Sequence, residues 1–145
     1  PATVIDRLAR VQRNHEWQGD RVTEWAVADL MRDGDLARHL RRARKIYHER
    51  MRHLADRLRT ELGTALDVVE PGGGLALWVR VKAPLDAGAF VDAARIRGVI
   101  LRRPEHYGLH QTGDCLRIGF AQADEGVLDH AVSRLVQGAQ DLCGG

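Results

Sequence analysis

A chain of 145 residues is the length of one ordinary domain, and 44% hydrophobic residues are enough to build a core. With 22 Lys and Arg against 20 Asp and Glu, the formal net charge of +2 excludes a chain built as a whole to coat nucleic acid. No apolar stretch approaches the roughly 20 residues of a membrane span, and Cys115 and Cys143 lack metal-ligand spacing; two reduced thiols in a cytoplasmic protein are the expectation.

The chain opens at Pro1 directly in helical periodicity, from which a removed upstream segment is expected. Val4, Ile5, Leu8 and Val11 recur at helical spacing, and a second pattern through Val22, Trp25, Ala26, Asp29 and Leu30 ends at Asp33-Gly34. Asp35 is expected to cap a long amphipathic helix. In it Leu36, Leu40, Ala43, Tyr47, Met51, Leu54, Leu58 and Leu62 form the apolar stripe before Gly63. Its other side carries Arg38, Arg41, Arg42, Arg44, Lys45, Arg50, Arg52, Arg57 and Arg59 against Glu49, Asp56 and Glu61. Without stacking aromatics, and in a nearly neutral chain, this reads as a solvated face.

From Leu66 the period becomes two, in a short run to Glu70 and again from Leu75 to Lys82, with Pro71-Gly72-Gly73-Gly74 as the turn between. Asp86 caps a helix carrying Phe90, Val91, Ala94 and Ile96. Gly98 then releases the chain into a short strand, Val99 to Leu101. After a loop rich in Pro, His and Gly comes a strand from Cys115 to Ala121, and Asp124 caps a last helix with Val127, Leu128, Ala131, Leu135 and Val136 inward. These elements predict an α+β fold, one small mixed or antiparallel sheet covered on one face by helices.

The strand Cys115-Leu116-Arg117-Ile118-Gly119-Phe120-Ala121 is the sharpest local feature. Alternation puts Leu116, Ile118 and Phe120 on the core face and Arg117 on the other, between two small residues. A guanidinium with room beside it suits a carboxylate or phosphate, although an ordinary solvent-facing arginine satisfies the same alternation. Gly72-Gly73-Gly74 allows close backbone approach of a ligand, but no helix follows it, so it is no phosphate cradle. His48-Glu49 and His53 miss the four-residue spacing of a zinc-protease helix. His106, His110 and Cys115 are weak as a zinc set, and Ser133 has no base and orienter, so neither a metal nor a catalytic constellation is expected.

The run Gly34-Asp35-Leu36-Ala37-Arg38-His39-Leu40-Arg41-Arg42-Ala43-Arg44-Lys45-Ile46-Tyr47-His48-Glu49-Arg50 resembles MocR-type regulators where their aminotransferase-like part passes into its small domain. Pro71-Gly72-Gly73-Gly74-Leu75 is similar to the turn before that family's substrate-reaching strand, and Arg97-Gly98-Val99 to its helix-to-strand step. Cys115 to Ala121 resembles the strand bearing the arginine that grips an α-carboxylate in fold-type I aminotransferases.

The resemblance implies a C-terminal small domain, with residues 1–34 as a helical lead-in from a large domain and 35–145 as the small domain proper. It also implies a parent polypeptide that binds pyridoxal 5'-phosphate (PLP) and reaches DNA only through an N-terminal winged-helix domain of the GntR type. The implied partners are the large domain, a second copy in a homodimer and an amino-acid-like small molecule, with no membrane. Arg117 would bind the carboxylate of that molecule, with the Gly73 and Gly74 backbone beside it. Lys45 and Lys82 are the only lysines, and neither resembles the setting of the family's cofactor lysine, so no covalent PLP and no transamination are expected of this chain. The small domain of a true aminotransferase and a protein-interaction module built on the basic helix are the alternatives.

Overall fold

The computed structural model describes residues 2–15, 20–107 and 113–143. In order these form α1 (Ala2–His15), α2 (Arg21–Arg32), α3 (Asp35–Leu62), β1 (Leu66–Val69), β2 (Ala76–Val81), α4 (Ala87–Ile96), a 3-10 turn (Pro104–His106), β3 (Cys115–Gly119) and α5 (Glu125–Cys143). Two compact units divide within α3, Pro1–Ala43 and Arg44–Gly145.

The first unit is helical, and none of its described residues is buried. The apolar stripe of α1 is exposed from Val4 to Val11, and α2 has no buried residue although it carries Val22, Trp25, Leu30 and Met31. Asp20 caps α2: its carboxylate accepts from the Thr23 hydroxyl at 2.6 Å and from the Val22 and Thr23 N–H groups, which holds its carboxyl below the usual range. Asp35, expected to be a cap, is instead the first residue of α3. Gly34, at φ +76°, stands before it and accepts the Arg38 N–H, because only glycine takes that left-handed turn without cost.

In the second unit the alternation of the strands works as expected. β1–β2–β3 is a three-stranded antiparallel sheet with Val68 opposite Val79 and Val79 opposite Leu116. One face, bearing Leu66, Val68, Leu77, Val79, Val81, Leu116 and Ile118, is buried. Met51, Leu54 and Leu58 of α3, Phe90 and Val91 of α4 and Leu128, Val132 and Leu135 of α5 belong to the same core. Fully burying a Leu or Phe side chain is worth about 1.5–3 kcal/mol, so this cluster carries the stability of the unit. The apolar stripe of α3 enters it only from Met51 onward, with Tyr47 partly buried against it.

Asp86 caps α4, its carboxylate accepting the Ala89 N–H at 2.7 Å, and Asp124 caps α5 through the Val127 N–H at 2.9 Å. α4 ends in a Schellman closure, with Gly98 at φ +83° and N–H bonds from Gly98 to Arg95 O and from Val99 to Ala94 O. Arg97 ties this end to α5 by gripping Asp141, its Nη2 lying 2.8–2.9 Å from the two carboxylate oxygens.

Several expectations fail here for definite reasons. Val99 to Leu101 is not a strand: it pairs with no neighbour, and Ile100 is 87% exposed. β3 stops at Gly119, and β1 at Val69. Leu75, Ile96 and Val127 face outward, because Leu75 precedes β2, Ile96 is the last residue of α4 and Val127 lies in the first turn of α5. Val132, absent from the expected inward set of α5, is wholly buried.

Candidate functional site

The helices cover one face of the sheet and leave the other open. On that open face the register forms cross-strand rows: Val69, Trp78 and Arg117 in one, Asp67, Arg80 and Cys115 in the next. Arg117 is exposed, as alternation requires, and its direct partner is Trp78. Residues so placed have Cβ atoms about 4.5–5.5 Å apart. The Trp78 ring meets Tyr107 edge-on, with centroids 5.3 Å apart at 76°. Arg117 therefore stands beside an aromatic pair, next to Gly119, which leaves space along the strand.

Along β3 runs a cleft of about 380 Å³, walled by residues 99–102, Tyr107, Arg117–Gly119 and the inner side of α5. Its wall is apolar apart from Arg102, Tyr107 and Arg117; among the described residues lining it there is no Asp or Glu. The side chains of Arg102 and Arg117 make no ion pair or hydrogen bond with another described residue. A guanidinium with no partner among the described residues has its donors free to take an anion.

The glycine turn is placed apart from this point. Gly73 and Gly74 lie beyond the last pair of the ladder, Ala76–Gly119, at the hairpin end, while Arg117 is one row further in. Trp78 is four positions on from Gly74, a span of up to roughly 13 Å in extended chain. Both glycines are exposed, and a Cβ on either would meet nothing within 4 Å.

Part of the expected solvated face of α3 is put to structural use where it reaches the second unit. Arg50 donates to the Ala121 carbonyl at 2.6 Å, and Arg59 donates to Val68 O and pairs with Glu70. Arg57 pairs with Glu61 at 2.6 Å and lies 3.2 Å from Asp129, an ion pair by distance although its buried Nε–H is not aligned for a hydrogen bond. His53, 2.8 Å from the same Asp129, joins α3 to α5 rather than holding a metal. Ser133 donates to the Asp129 carbonyl. Among the described residues no three His, Cys, Asp or Glu side chains gather as a metal site, and His110 lies outside the described residues.

Neither lysine faces the cleft. Lys82 donates from Nζ to the Gly63 carbonyl and so closes the C-terminal end of α3, while Lys45 is exposed on α3. Neither lysine stands among the residues lining the cleft, so the donors there are guanidinium and phenol groups. Sequence patterning placed Arg117 on the open face but did not bring Trp78, Tyr107 or Arg102 beside it. The Trp78 signal was present in the alternation of β2; Arg102 and Tyr107 stand where no periodicity assigns a face.

A sheet of three antiparallel strands with helices on one face is the architecture of an aminotransferase small domain. The α-aminoadipate aminotransferase LysN of Thermus thermophilus, solved with N-(5'-phosphopyridoxyl)-L-leucine, matches 98% of this chain and 36% of its own at 19% identity, with a TM-score of 0.81. Residues 1–135 match the model of aminotransferase class I and II, and the chain belongs to that family. It is similar to the probable rhizopine catabolism regulatory protein MocR of Rhizobium meliloti, 30% identical over 68% of this chain and 20% of that protein. It is also similar to the uncharacterized HTH-type transcriptional regulator YisV of Bacillus subtilis, 23% identical over 98% of this chain and 29% of that protein. The chain thus spans less than a third of these regulators. No helix among the described residues is long and apolar enough to cross a membrane.

Proposed function

We propose that this chain is the C-terminal part of the effector-binding, aminotransferase-like domain of a transcriptional regulator, and that Arg117 holds the carboxylate of an amino-acid-like effector there. Residues 1–34 serve as the lead-in and 35–145 as the small domain. The observation that carries the reading is the guanidinium of Arg117 on the open face of the sheet, flanked by Trp78 and Tyr107 and without an ion-pair partner among the described residues. Likeness to MocR and YisV over the same stretch favours regulation over turnover. In the complete polypeptide, a homodimer in this reading, PLP bound outside this chain supplies an aldehyde for the effector's amino group, and an upstream winged-helix domain meets DNA. This chain contributes the grip: a planar fork on one end of the ligand, with the glycine turn at the rim.

The test uses the complete polypeptide loaded with PLP and titrated with the common L-amino acids, each followed by the absorption of the cofactor. One or a few should perturb it, without sustained amino-group transfer to an added α-keto acid. Arg117→Lys keeps the charge but loses the fork, a cost of about 1.5–3 kcal/mol, or roughly 10- to 150-fold in affinity. Unchanged affinity removes the Arg117 assignment; sustained transfer makes the protein an aminotransferase.

A further inference from the structure

We propose that the basic stretch of α3 is a contact surface for the phosphate backbone of a DNA duplex, with Arg41, Lys45 and Arg52 in a row along the helix and Arg42 and Arg44 on its flanks. This goes beyond the function proposed above and does not rest on Arg117. In a regulator of that kind the duplex is met here as well as at the upstream domain.

Density of charge singles this stretch out. From Arg38 to Arg52 seven Arg and Lys residues stand against one acid, Glu49, whereas from Asp56 to Leu62 two arginines stand against two acids. Arg57 and Arg59 find partners in Glu61 and Glu70. Upstream, Arg38 pairs with Asp35 and Arg50 reaches the Ala121 carbonyl, but the other five are exposed and make no ion pair or hydrogen bond with another described residue. Arg95 and Arg134 also lack an acidic partner among the described residues, yet neither belongs to such a run. Like charges three and four residues apart on a helix repel one another, and a polyanion laid along them relieves that repulsion.

The geometry and the residue types choose the polyanion. Arg41, Lys45, His48 and Arg52 follow at steps of four, three and four, so they share one face of the helix, a row about 16 Å long at about 1.5 Å per residue. Duplex DNA carries one charge per about 1.7 Å of axis, so such a row faces several phosphates at once, and the guanidinium fork matches phosphate oxygens in pairs. A helix lying in a membrane surface inserts its apolar face, whereas that of α3 is turned into the core from Met51 onward. Protein interfaces centre on aromatic and aliphatic anchors, and this row carries none.

The experiment titrates the 145-residue protein into a fluorescein-labelled DNA duplex of mixed sequence, about 20 base pairs long, and reads anisotropy over a series of salt concentrations. Binding should saturate at about 50 mM salt, and the logarithm of affinity should fall against that of salt with a slope of about −4, as four or five phosphates at about −0.9 each require. Reversing three charges with Arg41→Glu, Arg44→Glu and Arg52→Glu should weaken binding at least tenfold and flatten the slope to about −1. Arg95→Glu with Arg134→Glu, exposed arginines outside the stretch, should change affinity by less than about threefold. Urea midpoints show that the variants fold, and the same three positions changed to Gln serve if the Glu variant does not. Absence of saturable binding, or equal losses in the two sets of variants, overturns the proposal. So does displacement of the duplex by poly-L-glutamate at equal charge, which makes the partner an acidic protein, or tighter binding to phosphatidylserine vesicles, which makes it a membrane. Each of these outcomes leaves the Arg117 reading standing, since effector binding is measured separately.

Discussion

At the scale of single residues, the glycine turn and the arginine beside it behave by different rules. Gly74 sits at φ +98°, where an L side chain is strained whatever the space around it, whereas Gly73 has no positive φ and open surroundings. Gly74→Ala should cost about 1 kcal/mol, the left-handed penalty of about 1–2 kcal/mol less what the stiffer unfolded chain returns. Gly73→Ala should be neutral or slightly stabilising. Urea midpoints of the two variants check this, and equal values would mean that the turn is free to rearrange. Arg117 was legible because a strand has only two faces. Its companions Arg102 and Tyr107 were not, since they lie in a segment without a repeating pattern, and only the fold brings them to the same cleft.

At the scale of elements, patterning worked where burial enforces it and failed where a segment ends. The period of β2 and β3 is obeyed at Leu77, Val79, Leu116 and Ile118 because each sits against the helices. Val99 to Leu101 has the composition of a strand, but composition supplies no partner: the Schellman closure at Gly98 sends it off without a ladder. The charged face of α3 is solvated over most of its length, but a helical wheel cannot show that Ala121, Asp129 and Glu70 wait opposite Arg50, Arg57 and Arg59. The crossing of α4 and α5 was hidden in a glycine. A Cβ on Gly138 would touch the backbone of Ala93 and Ala94 at 3.4 Å, so alanine just fits and nothing larger does. Gly138→Leu should therefore destabilise the second unit by about 1–3 kcal/mol through overpacking, measured by denaturant unfolding. An unchanged midpoint would show that the helices can slide apart freely.

At the scale of the whole molecule, the two units differ in what holds them. Leu54, Leu77, Val79, Phe90 and Leu116 give the second unit a closed core, while the first exposes Val4, Leu8, Val22 and Trp25 with nothing buried in α2. Isolated helices of 12 to 14 residues, the lengths of α2 and α1, are marginal in water without tertiary packing. Amide exchange of the chain should accordingly show the backbone of α1 and α2 open within the first time points, and the amides of β2 and α5 protected for far longer. Protection of α1 equal to that of β2 would mean that a second copy covers these helices. The same division bears on the cofactor. Lys82 is turned to the Gly63 carbonyl and Lys45 is exposed on α3, and neither lines the cleft along β3. Mixing the chain with PLP and reducing with borohydride should give only scattered, substoichiometric adducts by mass spectrometry. A single stoichiometric adduct at Lys45 or Lys82 would show that this chain builds a cofactor site of its own.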